Sequence, residues 1–320
     1  MIEGILVEGL IYALMALGVF VTFRILDFPD LTVDGSFPLG AAIMAAMVVA
    51  GANPWFALLV AFAGGVSAGV VTAMIHNKLK VPHLLAGILT MTMLYSINIR
   101  VLGNRANIPL IRQETILSQV AAFGAAWFST EWSMFVFFVI VIVVTKLLLD
   151  VFFRTDLGLT IGALGDNPQM VIATGVNPEH LKVIGVALSN GLVAVSGAFA
   201  AQFLGFADVN LGLGIIIAGL ASVMIGEFLL RSNRIGVLTL RVILGSILFR
   251  AIMYLGRFYG YYINLTPNDL KLITGLLIIV SLIITKTRTP RTRPWKPLSN
   301  TAIPEPRPAT GPAVIEETDQ

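Results

Sequence analysis

Residues 132–152 read WSMFVFFVIVIVVTKLLLDVF, and this stretch decides the class of fold. An apolar run of about 20 residues is long enough to cross a bilayer as a helix. A membrane β-barrel would instead show segments of about 10 residues with alternating polarity. Because this run is longer and apolar on all sides, it predicts a transmembrane helix.

Similar runs recur along the whole chain. They predict spans at 4–24, 36–52, 55–76, 83–103, 132–152, 182–204, 211–230, 236–256 and 270–285. Of the 320 residues, 57% are hydrophobic and only 12% are charged, whereas a soluble domain has roughly 25% charged residues. This composition excludes an ordinary soluble enzyme, a nucleic-acid-binding protein and a disordered chain. The predicted fold is an all-α polytopic transmembrane bundle with about 8–10 spanning helices.

Cofactor chemistry is restricted by the composition. The chain has no cysteine, which excludes a disulfide framework, an iron–sulfur site and a thiolate zinc site. Its three histidines are too few and too scattered for a histidine-rich metal site. The phosphate-binding pattern G-x-x-x-x-G-K-[ST] does not occur, so we expect no cofactor, no metal and no P-loop ATP site in this chain.

A break in the helical pattern is predicted near 27–39. Pro29 and Pro38 flank the run Leu31-Thr32-Val33-Asp34-Gly35-Ser36. Non-helical backbone at membrane depth is tolerated only where it is buried in protein or lines a cavity. Asp34 is therefore either a residue of a solute path or an interfacial helix cap.

Polar side chains inside apolar spans are the other candidates for a solute path, because such groups usually mark a bundle interior or a water-filled passage. Each is equally well explained as an interhelical hydrogen bond. Together with Asp34 the candidates are Ser36, Asn98, Asn190, Gln202 and Glu227.

Small residues recur every four positions in two predicted helices and favour close helix packing. They are Ala61, Gly65, Gly69 and Ala73 in one helix, and Ala218, Ser222 and Gly226 in another. The first stripe contains Gly65-Val66-Ser67-Ala68-Gly69, which matches the G-x-S-x-G elbow of hydrolases. That motif needs a strand before the serine, so packing is favoured; an intramembrane hydrolase with Ser67 as nucleophile and His76 or His83 as base is the alternative.

The segment 153–181 is too polar and too rich in glycine to span the membrane. Asn167-Pro168 is a helix-start signal and Gly175 a stop signal, which predicts a short helix between them. A short amphipathic helix between two membrane helices suits docking into a partner's groove. A plain structured loop is the alternative.

The C-terminal residues 286–320 hold seven of the 15 prolines and begin with a basic run. We expect this tail to be disordered, cytoplasmic and close to anionic lipid head groups. Counting back through nine spans also places the loops 77–82, 153–181 and 231–235 in the cytoplasm.

Three parts of residues 1–285 resemble the permease subunit of ATP-binding-cassette importers in the branched-chain amino acid, ribose and basic membrane protein group. They are 9–18 with the break at 26–40; Arg154–Gly158 leading to Gly165–Pro168 and Ala173–Val176; and the following helix with Ser189–Gly191 and Ser196–Ala198. Residues 31–36 depart from the branched-chain members, which carry a run like Asn-Phe-Ala-His-Gly there. They are similar to a sub-branch encoded beside lipoproteins of the tryptophan/tyrosine-binding type, which favours an aromatic amino acid as solute.

This resemblance implies a transport subunit rather than an enzyme. It implies an inner-membrane dimer, expected to be a homodimer, with two cytoplasmic ATPase subunits that bind ATP and Mg²⁺. A separate extracytoplasmic binding lipoprotein would deliver the solute, and the loop 104–131 is either a docking surface for it or a plain loop. The residues expected to couple to the ATPase are Arg154, Gly158, Gly162, Gly165, Asp166, Asn167, Pro168, Ala173 and Gly175. A self-contained secondary transporter or channel is the alternative function.

Overall fold

The computed structural model describes residues 2–124, 129–230 and 235–260, together with positions 272, 275 and 279. Within these residues, seven helices are long and apolar enough to cross a membrane, and an eighth apolar helix, Val33–Val49, is shorter. The seven are Glu3–Ile25, Pro54–Leu79, His83–Val101, Trp132–Phe152, Pro178–Leu204, Val209–Leu229 and Ile235–Gly256. The predicted all-α polytopic bundle is confirmed. Apart from those three positions, the predicted ninth span and the tail lie outside the described residues.

Eleven α-helices and two short strands make up the described part of the chain. In order they are α1 (Ile2–Phe20, continued by a π-helical turn at Val21–Ile25), α2 (Val33–Val49), α3 (Pro54–Leu79), α4 (His83–Val101), β1 (Asn107–Pro109), α5 (Ile116–Gly124), α6 (Thr130–Phe152), α7 (Asp156–Asp166), α8 (Pro168–Ala173), α9 (Pro178–Leu204), β2 (Phe206–Asp208, followed by a 3-10 turn at Val209–Gly212), α10 (Ile215–Leu229) and α11 (Ile235–Gly260). The span predicted at 182–204 therefore begins four residues earlier, at Pro178.

Helix α9 lies at the centre of the bundle and packs against α1, α2 and α3. Two glycines let α2 and α9 cross in backbone contact. A Cβ atom on Gly40 would lie 1.9 Å from the Ala194 carbonyl oxygen, and one on Gly197 would lie 1.9 Å from the Phe37 carbonyl oxygen. Because no side chain fits at either position, this crossing requires glycine.

Both predicted stripes of small residues lie in helix contacts. Gly65 and Gly69 face the backbone of α9, where added Cβ atoms would approach the carbonyl oxygens of Asn190 and Val186 to 2.3 and 2.4 Å. Gly226 of α10 faces α11 in the same way, and a Cβ added there would lie 2.2 Å from the carbonyl oxygen of Arg241. The packing interpretation of these stripes is confirmed.

The predicted break is present but shorter than 27–39. The π-helical turn ends at Ile25, and α2 begins at Val33 with Pro38 inside it. Pro38 has no N–H for the carbonyl of Asp34. The Asp34 carbonyl oxygen instead packs against Gly212, and a Cβ added to Gly212 would lie 1.9 Å from that oxygen. The non-helical break therefore covers residues 26–32 only.

The loops gather at two ends of the bundle. At one end, called the strand end, β1 pairs antiparallel with β2, and the Trp55 indole N–H donates to Gln119 Oε1 at 3.2 Å. At the other, called the α7–α8 end, Leu26 and Phe28 of the break pack in one apolar cluster with α7, α8 and the start of α9. The Asn77 amide of α3 also reaches this end, where it donates to the Glu179 carbonyl oxygen at 3.0 Å. The break and the segments 77–82 and 153–181 therefore share one end.

Candidate functional site

The segment 153–177 between α6 and α9, called the α7–α8 segment, folds into two short helices. Side-chain caps start both: the Thr155 hydroxyl accepts from Gly158 N, and Asn167 Oδ1 accepts from Met170 N. The predicted helix from Asn167-Pro168 is α8, which ends at Ala173 before Gly175 turns with φ +82°. Helix α7 was not predicted, because its glycines at 158, 162 and 165 disfavour a helix.

Apolar side chains on one face of the α7–α8 segment hold it to the bundle. Ile161, Leu164 and Val171 are buried in the cluster formed with the break. Gly165 brings α7 against the end of α1, since a Cβ there would lie 2.0 Å from the Ile25 carbonyl oxygen. Helix α7 is therefore in direct contact with the end of the π-helical turn, next to the break between α1 and α2.

The opposite face of the segment is exposed. Met170 and Ile172 are 59% and 56% exposed, and Leu159 is 54% exposed, although all three lie outside the membrane spans. Most of the predicted coupling residues share this exposure: Arg154, Asp166, Asn167, Pro168, Ala173 and Gly175. Gly158 is instead buried against the backbone of Phe152, and Gly162 and Gly165 are partly buried.

A buried polar network lies where the break meets α9. The Ser36 hydroxyl donates to Asn190 Oδ1 at 2.7 Å, and Asn190 Nδ2 donates to Asp30 Oδ2 at 2.7 Å. Asp30 Oδ1 accepts the backbone N–H of Thr32 at 2.9 Å. All four residues are almost completely buried. Two path candidates, Ser36 and Asn190, thus meet around Asp30. The sequence analysis did not single out Asp30, although an acidic residue next to Pro29 in the predicted break was a signal.

The remaining path candidates lie apart from this network. Asp34 caps α10, since its carboxylate accepts Gly214 N at 3.1 Å and Ile216 N at 2.9 Å. The sequence left a helix-capping role open for Asp34. The helix that Asp34 caps is α10, although Asp34 itself lies in α2. Asn98 Nδ2 donates to the Gly35 carbonyl at 3.1 Å.

Gln202 and Glu227 also bond within the chain. Gln202 Oε1 accepts Ile116 N at 2.9 Å, which joins α9 to α5. Glu227 Oε1 accepts from Arg24 Nε at 2.8 Å and from Arg241 at 2.7 Å, which joins α10 to the π-helical turn and α11. The geometry does not test whether any candidate lines a path, so that role stays a prediction.

The surroundings of Ser67 do not have the geometry that the hydrolase alternative requires. Ser67 lies inside α3, and its hydroxyl donates to the Ala63 carbonyl oxygen at 2.8 Å. His76 is nine residues further along the same helix, a rise of about 13.5 Å along its axis. It pairs there with the Val81 carbonyl oxygen and, at 6.2 Å between ring centroids, with His83. Within the described residues, no strand-to-helix elbow and no histidine partner surround Ser67.

A second set of contacts ties α3 to the start of α9 at the α7–α8 end. Lys80 pairs with Glu179 at 2.5 Å, and Lys182 Nζ lies 3.0 Å from His76 Nε2. In the described part of the chain, no group of three or more metal-ligating side chains comes together.

The comparisons with known proteins agree on a transport family. A family described as "Branched-chain amino acid transport system / permease component" matches residues 1–282. The tyrosine transport system permease protein of Clostridioides difficile (strain R20291) is 41% identical over 88% of this chain and 90% of its own length. An uncharacterised protein of Rickettsia prowazekii (strain Madrid E) is 33% identical over 86% of this chain and 94% of its own length.

More distant similarity extends to sugar permeases. The galactofuranose transporter permease protein YtfT of Escherichia coli (strain K12) is 24% identical over 81% of this chain and 72% of its own length. No solved structure matches the chain significantly.

Proposed function

Because the chain belongs to the family of branched-chain amino acid transport system permease components, we propose that it is the membrane subunit of an importer for an aromatic amino acid. The importer is of the ATP-binding-cassette type, and tyrosine is the first solute that we would test. The permease named for tyrosine transport supports this solute class, since it is 41% identical to this chain.

The exposed apolar face of the α7–α8 segment carries the proposal of an ATPase partner. Removing exposed apolar side chains from water favours association with a partner. Met170 and Ile172 project from a short helix outside the spans, which suits insertion into a groove of a soluble protein. The sequence has no P-loop, so the partner binds the ATP and Mg²⁺.

Coupling follows from the two faces of the α7–α8 segment. An ATPase pair that closes on ATP pushes on the outward face. The inward face transmits this push to the break through Gly165 and the cluster around Leu26. The permease then shifts between outward and inward access by a change between two packed states.

The arrangement proposed for the whole importer has two permease copies, expected to be identical, and one ATPase on each. The α7–α8 end faces the cytoplasm of the inner membrane, with the C-terminus on the same side. The strand end faces outward, where the exposed charges Arg105, Arg112 and Glu114 offer a surface to a binding lipoprotein. Lipid covers the apolar faces that neither partner covers.

Reconstitution tests this function. The chain is purified from its native membranes in detergent and incorporated into liposomes together with the proteins that co-purify. We expect an ATPase subunit to co-purify, and tyrosine uptake to require ATP with Mg²⁺. Uptake that an ion gradient drives in the absence of ATP would instead support a secondary transporter.

A further inference from the structure

The carboxyl group of Asp30 is enclosed where the break meets three helices. The residue is 1% exposed. Asn190 of α9 bonds to it, and Gly87 of α4 lies against it, since a Cβ added to Gly87 would lie 3.2 Å from Asp30 Oδ1. Thr72 of α3 bonds to the hydroxyl of the neighbouring Thr32. While the break has this closed arrangement, the carboxyl group is therefore shielded from water.

The partners of Asp30 are uncharged. Its carboxyl group accepts the backbone N–H of Thr32 and the side-chain amide of Asn190. In the described part of the chain, no cation pairs with it, and no charged group acts on it from the break, α3, α4 or α9. The imidazoles of His76 and His83 contact an aromatic ring of the break instead. A negative charge on Asp30 would therefore have no counter-charge.

Other carboxyl groups in the helix contacts have a partner for their negative charge. Three of them form ion pairs: Asp150 with Lys146, Glu8 with Arg250, and Glu227 with Arg24 and Arg241. Asp34 accepts two backbone N–H groups at the start of α10, where the helix dipole stabilises a negative charge. The start of α2 does not serve Asp30 in this way, because the N–H groups of residues 34–36 bond to the carbonyls of Leu31 and Thr32.

Ionisation of Asp30 is costly in these surroundings. A buried charge is tolerated where a counter-charge and hydrogen bonds compensate it, and without them a carboxyl group takes up a proton instead. Burial therefore raises the pKa of Asp30, which lies outside the membrane spans, above its ordinary value of 3.8.

A chain of hydroxyl groups next to Asp30 offers an acceptor for the proton of a neutral acid. The Thr32 side chain bonds to the Asp30 carboxyl group, and its hydroxyl lies 2.7 Å from the Thr72 hydroxyl. The Thr72 hydroxyl donates to the Ala68 carbonyl oxygen at 3.1 Å. Since each hydroxyl donates once, Thr72 then accepts from Thr32, and Thr32 accepts from the O–H of Asp30. Every proton of this chain has an acceptor when Asp30 is uncharged.

We propose that Asp30 is an uncharged carboxylic acid while the break is closed, and that it releases its proton when the break opens to water. On release the O–H bond breaks, the electron pair stays on the carboxylate, and water accepts the proton. Because the closed form holds one proton more, a rise in pH favours the open form, by up to about tenfold per pH unit between the ordinary and the raised pKa. The uncharged state is independent of the proposed function, whereas the opening of the break rests on it.

Infrared spectroscopy of the purified full chain tests the uncharged state, because the C=O stretch of a carboxylic acid has a higher frequency than that of a carboxylate. The aspartates carry carbon-13, the detergent has no ester groups, and the pH is about 7.5, well above the ordinary range of aspartate. We expect a carboxylic-acid band of aspartate in the natural protein, and its loss in Asp30→Asn and in Asp30→Ser. Asp34→Asn is the matched control and keeps the band. A natural protein without the band, or a band that survives in either folded Asp30 variant, would overturn the proposal.

Cysteine labelling of the break tests the release of the proton, since the natural chain has no cysteine. Leu31→Cys is labelled with a water-soluble thiol reagent in native membranes, alone and combined with an Asp30 variant that folds. Thiol ionisation affects both proteins equally, so the ratio of their labelling rates isolates Asp30. We expect this ratio to rise by up to about tenfold per pH unit; a ratio that is constant with pH would refute release on opening. If tyrosine uptake fails while the infrared band is present, only the proposed function fails.

Discussion

The bundle centre and the α7–α8 segment place their polar and apolar side chains in opposite ways. At the centre, Asp30, Ser36 and Asn190 are buried and bonded to one another inside the chain. On the α7–α8 segment, Met170 and Ile172 are apolar and exposed outside the spans. Satisfied polar groups lock one arrangement of helices, whereas exposed apolar groups are stabilised by a partner. The centre therefore maintains the fold, and the segment is the surface at which we propose that the ATPase attaches.

The largest effect is expected at the crossing of α2 and α9. Gly197→Ala places a Cβ 1.9 Å from the Phe37 carbonyl oxygen, so the two backbones must separate. We expect a loss of more than about 3 kcal/mol in stability, and little folded protein in fluorescence-detected size exclusion. Gly4→Ala is the matched control, because no atom lies within 4 Å of its added Cβ. Equal yields of the two variants would refute the tight crossing.

The next effect concerns transmission from the α7–α8 segment. Gly165→Ala brings a Cβ within 2.0 Å of the Ile25 carbonyl oxygen, at the edge of the bundle, where α7 can move outward. We expect normal abundance in the membrane and at least about tenfold slower uptake, since a shift of 1.4 kcal/mol in a two-state equilibrium is tenfold. Rates of uptake normalised to abundance measure this. Unchanged uptake would mean that the contact of α7 with α1 does not couple.

A smaller effect is expected in the polar network of the centre. Asn190→Leu leaves the Asp30 carboxylate and the Ser36 hydroxyl without this partner. An unsatisfied buried group costs about 1–3 kcal/mol, measurable as a lower thermal unfolding midpoint in detergent. Ser67→Ala is the control, since its hydroxyl bonds only to its own helix. We expect it to change stability by about 0.5 kcal/mol or less and to leave uptake intact, whereas loss of all activity would favour the hydrolase alternative.

The smallest effect is expected for the ion pair of Lys80 with Glu179. Both side chains are substantially exposed, so water and salt screen the pair. Lys80→Met should therefore leave the thermal unfolding midpoint almost unchanged in the same measurement. A clear drop in the midpoint would contradict this expectation and would show that the pair contributes to stability despite its exposure.

Sequence reasoning succeeded where local chemistry decides the structure. Apolar length predicted the spans, and the Asn-Pro start predicted α8. Sequence reasoning failed where the hydrogen-bond partner of a residue comes from a distant part of the chain. Asp30 and Asn190 are 160 positions apart, so only the fold brings them together.

The sequence did not predict helix α7 or the two strands, and the reasons are related. The glycines of α7 oppose a helix, and burial of Ile161 and Leu164 against the break outweighs them. β1 and β2 have three residues each, too few for a pattern, and exist through their pairing across the bundle. Of the candidate site, the helix start at Asn167-Pro168 followed from the sequence, whereas the buried inward face of the α7–α8 segment did not. The coupling role of its residues stays a prediction.

The most direct measurement of the central claim is capture of the ATPase by the purified permease. Met170→Asp with Ile172→Asp replaces two exposed apolar side chains of α8. Ile111→Asp is the control, because Ile111 is 73% exposed outside the spans and lies at the strand end. Loss of a central apolar contact weakens binding by about 2 kcal/mol or more, roughly 30-fold. We expect the double variant to lose the ATPase and Ile111→Asp to keep it; equal capture by both would contradict the assignment of the α7–α8 segment as the ATPase attachment.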